Sequence, residues 1–273
     1  MKSTPTIPGI DVRLARLPRS LSLPTKYFLP FCMPRSIERY LVVNADDFGM
    51  SSNVSKGILS AHAMGIVTST SLMVRPPAAA EAVELSRDYP SLGLGLHVDL
   101  CEWEFADGEW KLVYEVVPLD DTSAVVREIH RQYDRFRELV GREPTHFDSH
   151  QHFHLKDSVR PHLMELATTL GVPVRHCTPG LRYVSRFYGQ SAEGVPDPSA
   201  ITVDALIAVL RALPEGVSEL ACHPGDASDV ETTYRTERSL EQDTLCSPAV
   251  RRTIEEEKIL LCTFADVRDR LSQ

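Results

Sequence analysis

The chain has 273 residues, 42% hydrophobic and 25% charged, enough for one large core at a length that α/β barrels use as a single domain. Lysine and arginine total 29 against 38 acidic residues, a formal net charge of -9 without the basic face of a nucleic-acid binder, so no nucleic-acid partner is expected. No apolar run approaches the roughly 18–20 residues of a membrane span.

Residues 1–37 differ from the rest. They hold six of the 19 prolines and six basic residues against one acid, Asp11. No signal-peptide apolar region follows the basic positions. Proline at this density prevents a continuous helix or central strand, so the segment reads as a flexible, dispensable leader ahead of a natural start at Met33. Two rivals are an organelle transit sequence and an apolar plug, "KYFLPFCM" at 26–33, docking on the body or on a partner. The six cysteines include no C-x-x-C pair, and without a secretory signal they read as reduced thiols in a cytoplasmic protein.

From residue 38 onward, apolar runs alternate with helical patterns. Strands are expected at 40–45, 66–74, 93–98, 145–148, 172–176, 218–222 and 259–263. Helices are expected at 53–64, 78–88, 122–140, 158–170, 201–213 and 247–257, and long loops at 103–121 and 177–200. In 122–140, Val125, Val126, Ile129, Tyr133, Phe136 and Val140 recur at helical spacing. Alternating strand and helix predicts a parallel α/β fold of about seven units, with its site at the carboxyl ends of the strands.

Those ends carry the polar residues. Asp46 and Asp47 close "RYLVVNADDFG", and His97 closes "LGLGLH". His146, Asp148, His150, His152 and His154 form "THFDSHQHFH", and His223 closes "SELACH". Each has an ordinary structural reading: a turn before a helix cap at Ser51, a core imidazole at His97, a solvated strand edge at 150–154. Gathered on one rim, aspartate and imidazole instead make a ligand set for a divalent metal, with Zn²⁺, Mn²⁺, Fe²⁺ and Co²⁺ all suited. One carboxylate of the Asp46–Asp47 pair would then bind the cation, and the other would take a proton from water. His62, His130, His162 and His176 have no carboxylate partner in the pattern and read as structural.

The combination "NADDFG", "GIVTSTSLMV", "RDYPSLGLGLHVDL", "PTHFDSHQHFH" and "CHP" resembles the YdjC/ChbG family of carbohydrate deacetylases over residues 38–270. The resemblance implies a distorted (β/α) barrel, TIM-barrel-like, spanning 38–273, and removal of the N-acetyl group from an acetylated amino sugar, chitooligosaccharide-like or glycolipid-linked. It implies one divalent metal, Mg²⁺ or Zn²⁺, on Asp47, His97 and His150, with Asp46 as general base. His223 is the candidate general acid, Asp148 an orienting partner for an imidazole, and Arg175 a partner for Asp46 unless it lies in a surface ion pair. His152 and Trp103, with Trp110 and Tyr183, are candidates for substrate contact. A homodimer is compatible with this picture. The departures are Asp99, Glu102 and the tryptophans after His97, and the mixed-charge segment 226–245, whose role the resemblance does not assign. A phosphodiesterase on the same fold and a non-catalytic sugar-binding protein stand as alternatives.

Overall fold

Tyr40 to Val43 is apolar on both faces, so its strand must be covered on both sides. The computed structural model describes residues 38–106, 108–191 and 194–271, and the leader expectation for 1–37 lies outside them. Within it β1 (Arg39–Phe48) is the central strand, buried from Leu41 onward.

In chain order there follow α1 (Ser52–Met64), β2 (Ser69–Leu72), α2 (Ala79–Ser86), β3 (Gly93–Val98), β4 (Cys101–Ala106), β5 (Glu109–Glu115) and α3 (Thr122–Val140). Next come β6 (Phe147–Ser149), a 3₁₀ turn at His150–Leu155, α4 (Arg160–Leu170), β7 (Leu181–Val184), a second 3₁₀ turn at Pro198–Ile201 and α5 (Val203–Arg211). The chain closes with β8 (Gly216–Cys222), α6 (Thr236–Leu245), α7 (Pro248–Glu256), β9 (Ile259–Leu261) and α8 (Phe264–Leu271).

The main sheet runs β6-β3-β2-β1-β8-β7 and every pairing in it is parallel. β8 follows one edge of β1 from Arg39 to Ala45. The other edge is divided: β9 pairs with Arg39–Leu41 and β2 with Asn44–Phe48. Splitting one edge between two strands splays the sheet and lets it curl into a half-barrel, so the predicted distorted barrel is the fold observed. Helices fill the intervals and bury one stripe each. In α3, Val125, Ile129, Tyr133 and Phe136 face the core, each such side chain contributing about 1.5–3 kcal/mol by leaving water. The Asp121 carboxylate accepts the Ala124 N–H at its start, and Gly141, at φ 76°, ends it in a left-handed cap.

Three expectations are corrected. The strand at 172–176 reduces to a single parallel bridge, Phe147 to Val174, because the backbone turns at His176, φ 60°. The strand beside β8 is instead β7, inside the stretch expected to be a loop. The loop 103–121 is mostly the antiparallel hairpin β4–β5. Among the described residues no helix is long and apolar enough to cross a membrane. Cys101, Cys177, Cys222, Cys246 and Cys262 are all free.

A candidate metal-binding active site

Neighbouring side chains of a regular strand point to opposite faces, yet Asp46 and Asp47 both reach the same rim. The register against β2 slips between Ala45 and Phe48, and Asp47 takes a left-handed backbone, φ 65°. The bulge turns two consecutive carboxylates to one place. Such a conformation costs a non-glycine residue about 1–3 kcal/mol and is held only where the surroundings fix it.

What fixes it is the neighbouring strand ends. Asp47 Oδ1 lies 3.3 Å from His97 Nε2 and 3.2 Å from His150 Nδ1. Asp47, His97 and His150 are all buried, with ligand atoms within 4.8 Å of one another. His97 is the register partner of Asp148 on β6. Its Nδ1–H donates to Asp148 Oδ1 at 2.8 Å, which leaves Nε2 turned to Asp47. Asp148 also accepts Ser71 Oγ at 2.8 Å and Asn44 Nδ2 at 3.3 Å. One carboxylate and two imidazoles suit a borderline divalent cation. The buried His150 Nε2, which has no partner, leaves that ring a free nitrogen beyond its contact with Asp47. The donor set therefore fits the implied metal.

The second carboxylate has a different surrounding. Arg175 donates to Asp46 from Nη1 at 2.6 Å and Nη2 at 2.7 Å, to Asp148 at 2.9 Å and to Glu219 at 2.6 Å. Its side chain is fully buried, which excludes the surface ion pair. One guanidinium thus joins carboxylates of β1, β6 and β8 across the inside of the curl. Burial works to raise the Asp46 carboxyl, but Arg175 outweighs it and holds it below the ordinary range. Asp47 is held well below that range against its burial, chiefly by Arg238, then by His150 and His97. Glu219 goes the other way: burial lifts it to about 7 despite Arg175.

His223 Nε2 lies 3.8 Å from Asp46 Oδ2, the oxygen that Arg175 Nη1 also meets. Burial lowers its imidazole to about 4. The structure thus brings Asp46, Asp47, His97, His150, His223, Asp148 and Arg175 together. His152 does not join them. It lies in the 3₁₀ turn, where it and Gln151 take left-handed backbones, and packs edge-on against Tyr183 and His176. His154 is tied to Ser149 Oγ and the Arg175 carbonyl. Tyr183 lies under the Arg175 guanidinium, 5.5 Å from ring centre to Cζ. Trp103 exchanges backbone hydrogen bonds with the Gln151 side chain at 2.9 and 2.7 Å, tying the hairpin to the His150 turn. Trp110, exposed, packs edge-to-face on Phe105. Asp99 is buried and bound to Arg75 and Tyr114, and is not in the cluster of candidate ligands. Glu102 is partly buried, and burial raises its carboxyl.

Three residues of this site escaped sequence reasoning. Glu219 could have been suspected as a lone acid in the apolar run 217–222. Arg238 and Glu241 sit on α6, within the unassigned segment 226–245. Arg238 donates to Asp47 Oδ2 at 2.5 Å, and Glu241 accepts the His223 backbone N–H at 2.5 Å. Nothing local distinguishes them from other residues of a mixed-charge helix.

The curled parallel half-barrel is the fold of the polysaccharide deacetylases. A family 4 carbohydrate esterase from Streptomyces lividans shares it at TM-score 0.50 and 13% identity, over 82% of this chain and 91% of that one. The chain belongs to the YdjC-like protein family, whose model matches residues 40–256. A structure from Enterococcus faecalis V583, described as a candidate cellobiose-phosphate cleavage protein, matches at TM-score 0.64 and 24% identity, over 84% of this chain and 99% of that one. The chitooligosaccharide deacetylase of Serratia marcescens is 31% identical over 262 residues, 85% of this chain and all of that protein. That of Citrobacter koseri is 33% identical over 264 residues, with 85% and 100% covered.

Proposed function

We propose that this chain is a metal-dependent hydrolase that removes the N-acetyl group from an acetylated amino sugar of the chitooligosaccharide type. The observation that carries the reading is the division of labour at the end of β1: Asp47 faces two imidazoles, while Asp46 faces Arg175 and His223. Similarity to the chitooligosaccharide deacetylases supports the substrate class.

In this reading Asp47, His97 and His150 hold one divalent cation, Zn²⁺ or Mg²⁺. When bound, the cation supplies Lewis acidity toward the amide carbonyl and makes water easier to deprotonate. Asp46, kept ionised by Arg175, accepts the proton of the attacking water. An amine leaves only once protonated. His223 is neutral in the resting site, so it must take up the proton it delivers; Asp46, 3.8 Å away, passes on the water proton once the two close to hydrogen-bonding distance. The lowered basicity of the imidazole makes it a strong donor to the departing nitrogen. Asp148 holds His97 in the tautomer that presents Nε2.

A phosphodiesterase would need free cations at the rim. Arg175 and Arg238 are both engaged by carboxylates, which favours the amide substrate. The test is acetate release from a panel of N-acetyl sugars, before and after chelation and after readdition of single metals. Acetate appearing with metal and vanishing without it is the expected result. Cleavage of phosphodiesters with no acetate from any sugar would overturn the reading.

A further inference from the structure

We infer that Tyr188, backed by Tyr234, forms a stacking subsite for a pyranose ring directly beside His223. This rests on the proposed deacetylase reading and adds a recognition element to it. The two tyrosine rings are nearly parallel, 14° apart with centroids 4.8 Å from one another. Tyr234, 5% exposed, covers one face of the Tyr188 ring, and Tyr188 itself is 40% exposed. The Tyr188 ring centre is 5.4 Å from that of His223.

The direction of Tyr188 is fixed by its neighbours. Phe187 before it is buried in the core. Gly189 after it donates its N–H to the Tyr234 hydroxyl at 2.7 Å, and its carbonyl accepts the Asp197 N–H at 2.6 Å. A Cβ on Gly189 would meet the side chains of Ile201 at 2.8 Å and of Glu237 and Tyr234 at 2.9 Å, so a larger residue there would push them aside. The Tyr234 hydroxyl in turn donates to the buried Glu241 carboxylate.

The chemistry selects the occupant. The nitrogen that His223 protonates is bonded directly to a ring carbon of the amino sugar. The ring must therefore lie within one side chain's width of the imidazole, where Tyr188 stands. The axial C–H face of a pyranose is apolar and close to an aromatic ring in size, so it gains by leaving water against a flat π surface. An acyclic N-acetyl amine offers no such face.

The probe is di-N-acetylchitobiose, titrated calorimetrically into the Asp46→Asn protein with and without Tyr188→Ala, while acetate release is followed separately in the wild type. Removing the ring should weaken binding about 10-fold, in keeping with the upper range for a stacked aromatic contact. Tyr188→Phe and Tyr188→Trp should bind within about 2-fold of the parent, since each keeps the flat face. Zn²⁺ affinity, measured without sugar, should stay the same in all of them, which separates lost stacking from a collapsed site. Equal binding with and without the Tyr188 ring overturns the subsite, as does an absence of binding in every variant. Acetate release by the wild type together with equal binding leaves the deacetylase reading standing and removes only this inference.

Discussion

Arg175 clasps Asp46 with both terminal nitrogens, at 2.6 and 2.7 Å, and neither side chain is open to solvent. The same guanidinium serves Asp148 and Glu219. Removing it strands three buried carboxylates. Arg175→Met should therefore lower stability by about 3–5 kcal/mol, the usual cost of breaking a buried ion pair from one side. Arg175→Lys should recover little, because an ammonium lacks the planar fork that meets three acceptors. Urea unfolding checks both, and a loss under about 1 kcal/mol for Arg175→Met would contradict the role given to this network.

Asp46→Asn keeps the shape and an acceptor oxygen while removing the proton acceptor. It should retain fold and metal and lose about 10²–10⁴-fold in turnover. Circular dichroism, metal content and acetate release read the three quantities separately. Near wild-type turnover would remove Asp46 from the base position.

Metal content tests the other carboxylate. Asp47→Ala should abolish stoichiometric binding of the cation. Asp148→Asn, which takes away the charged acceptor of the His97 Nδ1–H, should weaken affinity about 10–100-fold without abolishing it. Competition with a chelator of known affinity measures the difference. Identical affinities in the Asp148→Asn protein and the wild type would mean that His97 is not oriented from behind.

Glu241 predicts a pH dependence. Burial raises its carboxyl to about 8 from an ordinary value of 4.5. The folded state therefore holds a proton that the unfolded chain has released between these values. Its contribution to stability is fully present below about pH 4.5 and is lost as pH rises through about 8. Glu241→Gln cannot ionise, so its Tm relative to wild type should climb between pH 5 and pH 8.5. A constant difference across that interval would show that Glu241 is ionised throughout.

Much of this was legible in the sequence because the signals were local. An apolar run ending in aspartate or histidine marks the end of a parallel strand, and β1, β3, β6 and β8 each carry one. The helix at 122–140 has its cap, its stripe and its terminal glycine in sequence, and its bounds match, although Val126 and Val140 of the expected stripe are only partly buried. The hairpin β4–β5 was missed because its charged and aromatic residues lack a buried face to create alternation. The edge at 172–176 was overextended because "VPV" is apolar whether it makes one bridge or five. Arg238 and Glu241 were missed because their partners lie in other parts of the chain, and no window of sequence holds both ends of such a contact.

That distance has a consequence for how the protein is made. Arg238 meets Asp47 across 191 positions. At about 5–20 residues per second on the ribosome, the two are synthesised roughly ten to forty seconds apart. Arg175 reaches Asp46 earlier, yet still after 129 positions. Throughout that interval the nascent chain carries acidic groups whose permanent counter-charges do not yet exist. β1 likewise waits for β8, its full-length neighbour. The central strand and its paired aspartates must stay hydrated until the last quarter of the polypeptide emerges. A message truncated before β8 therefore yields no smaller working version, only a sheet open along one edge of its central strand.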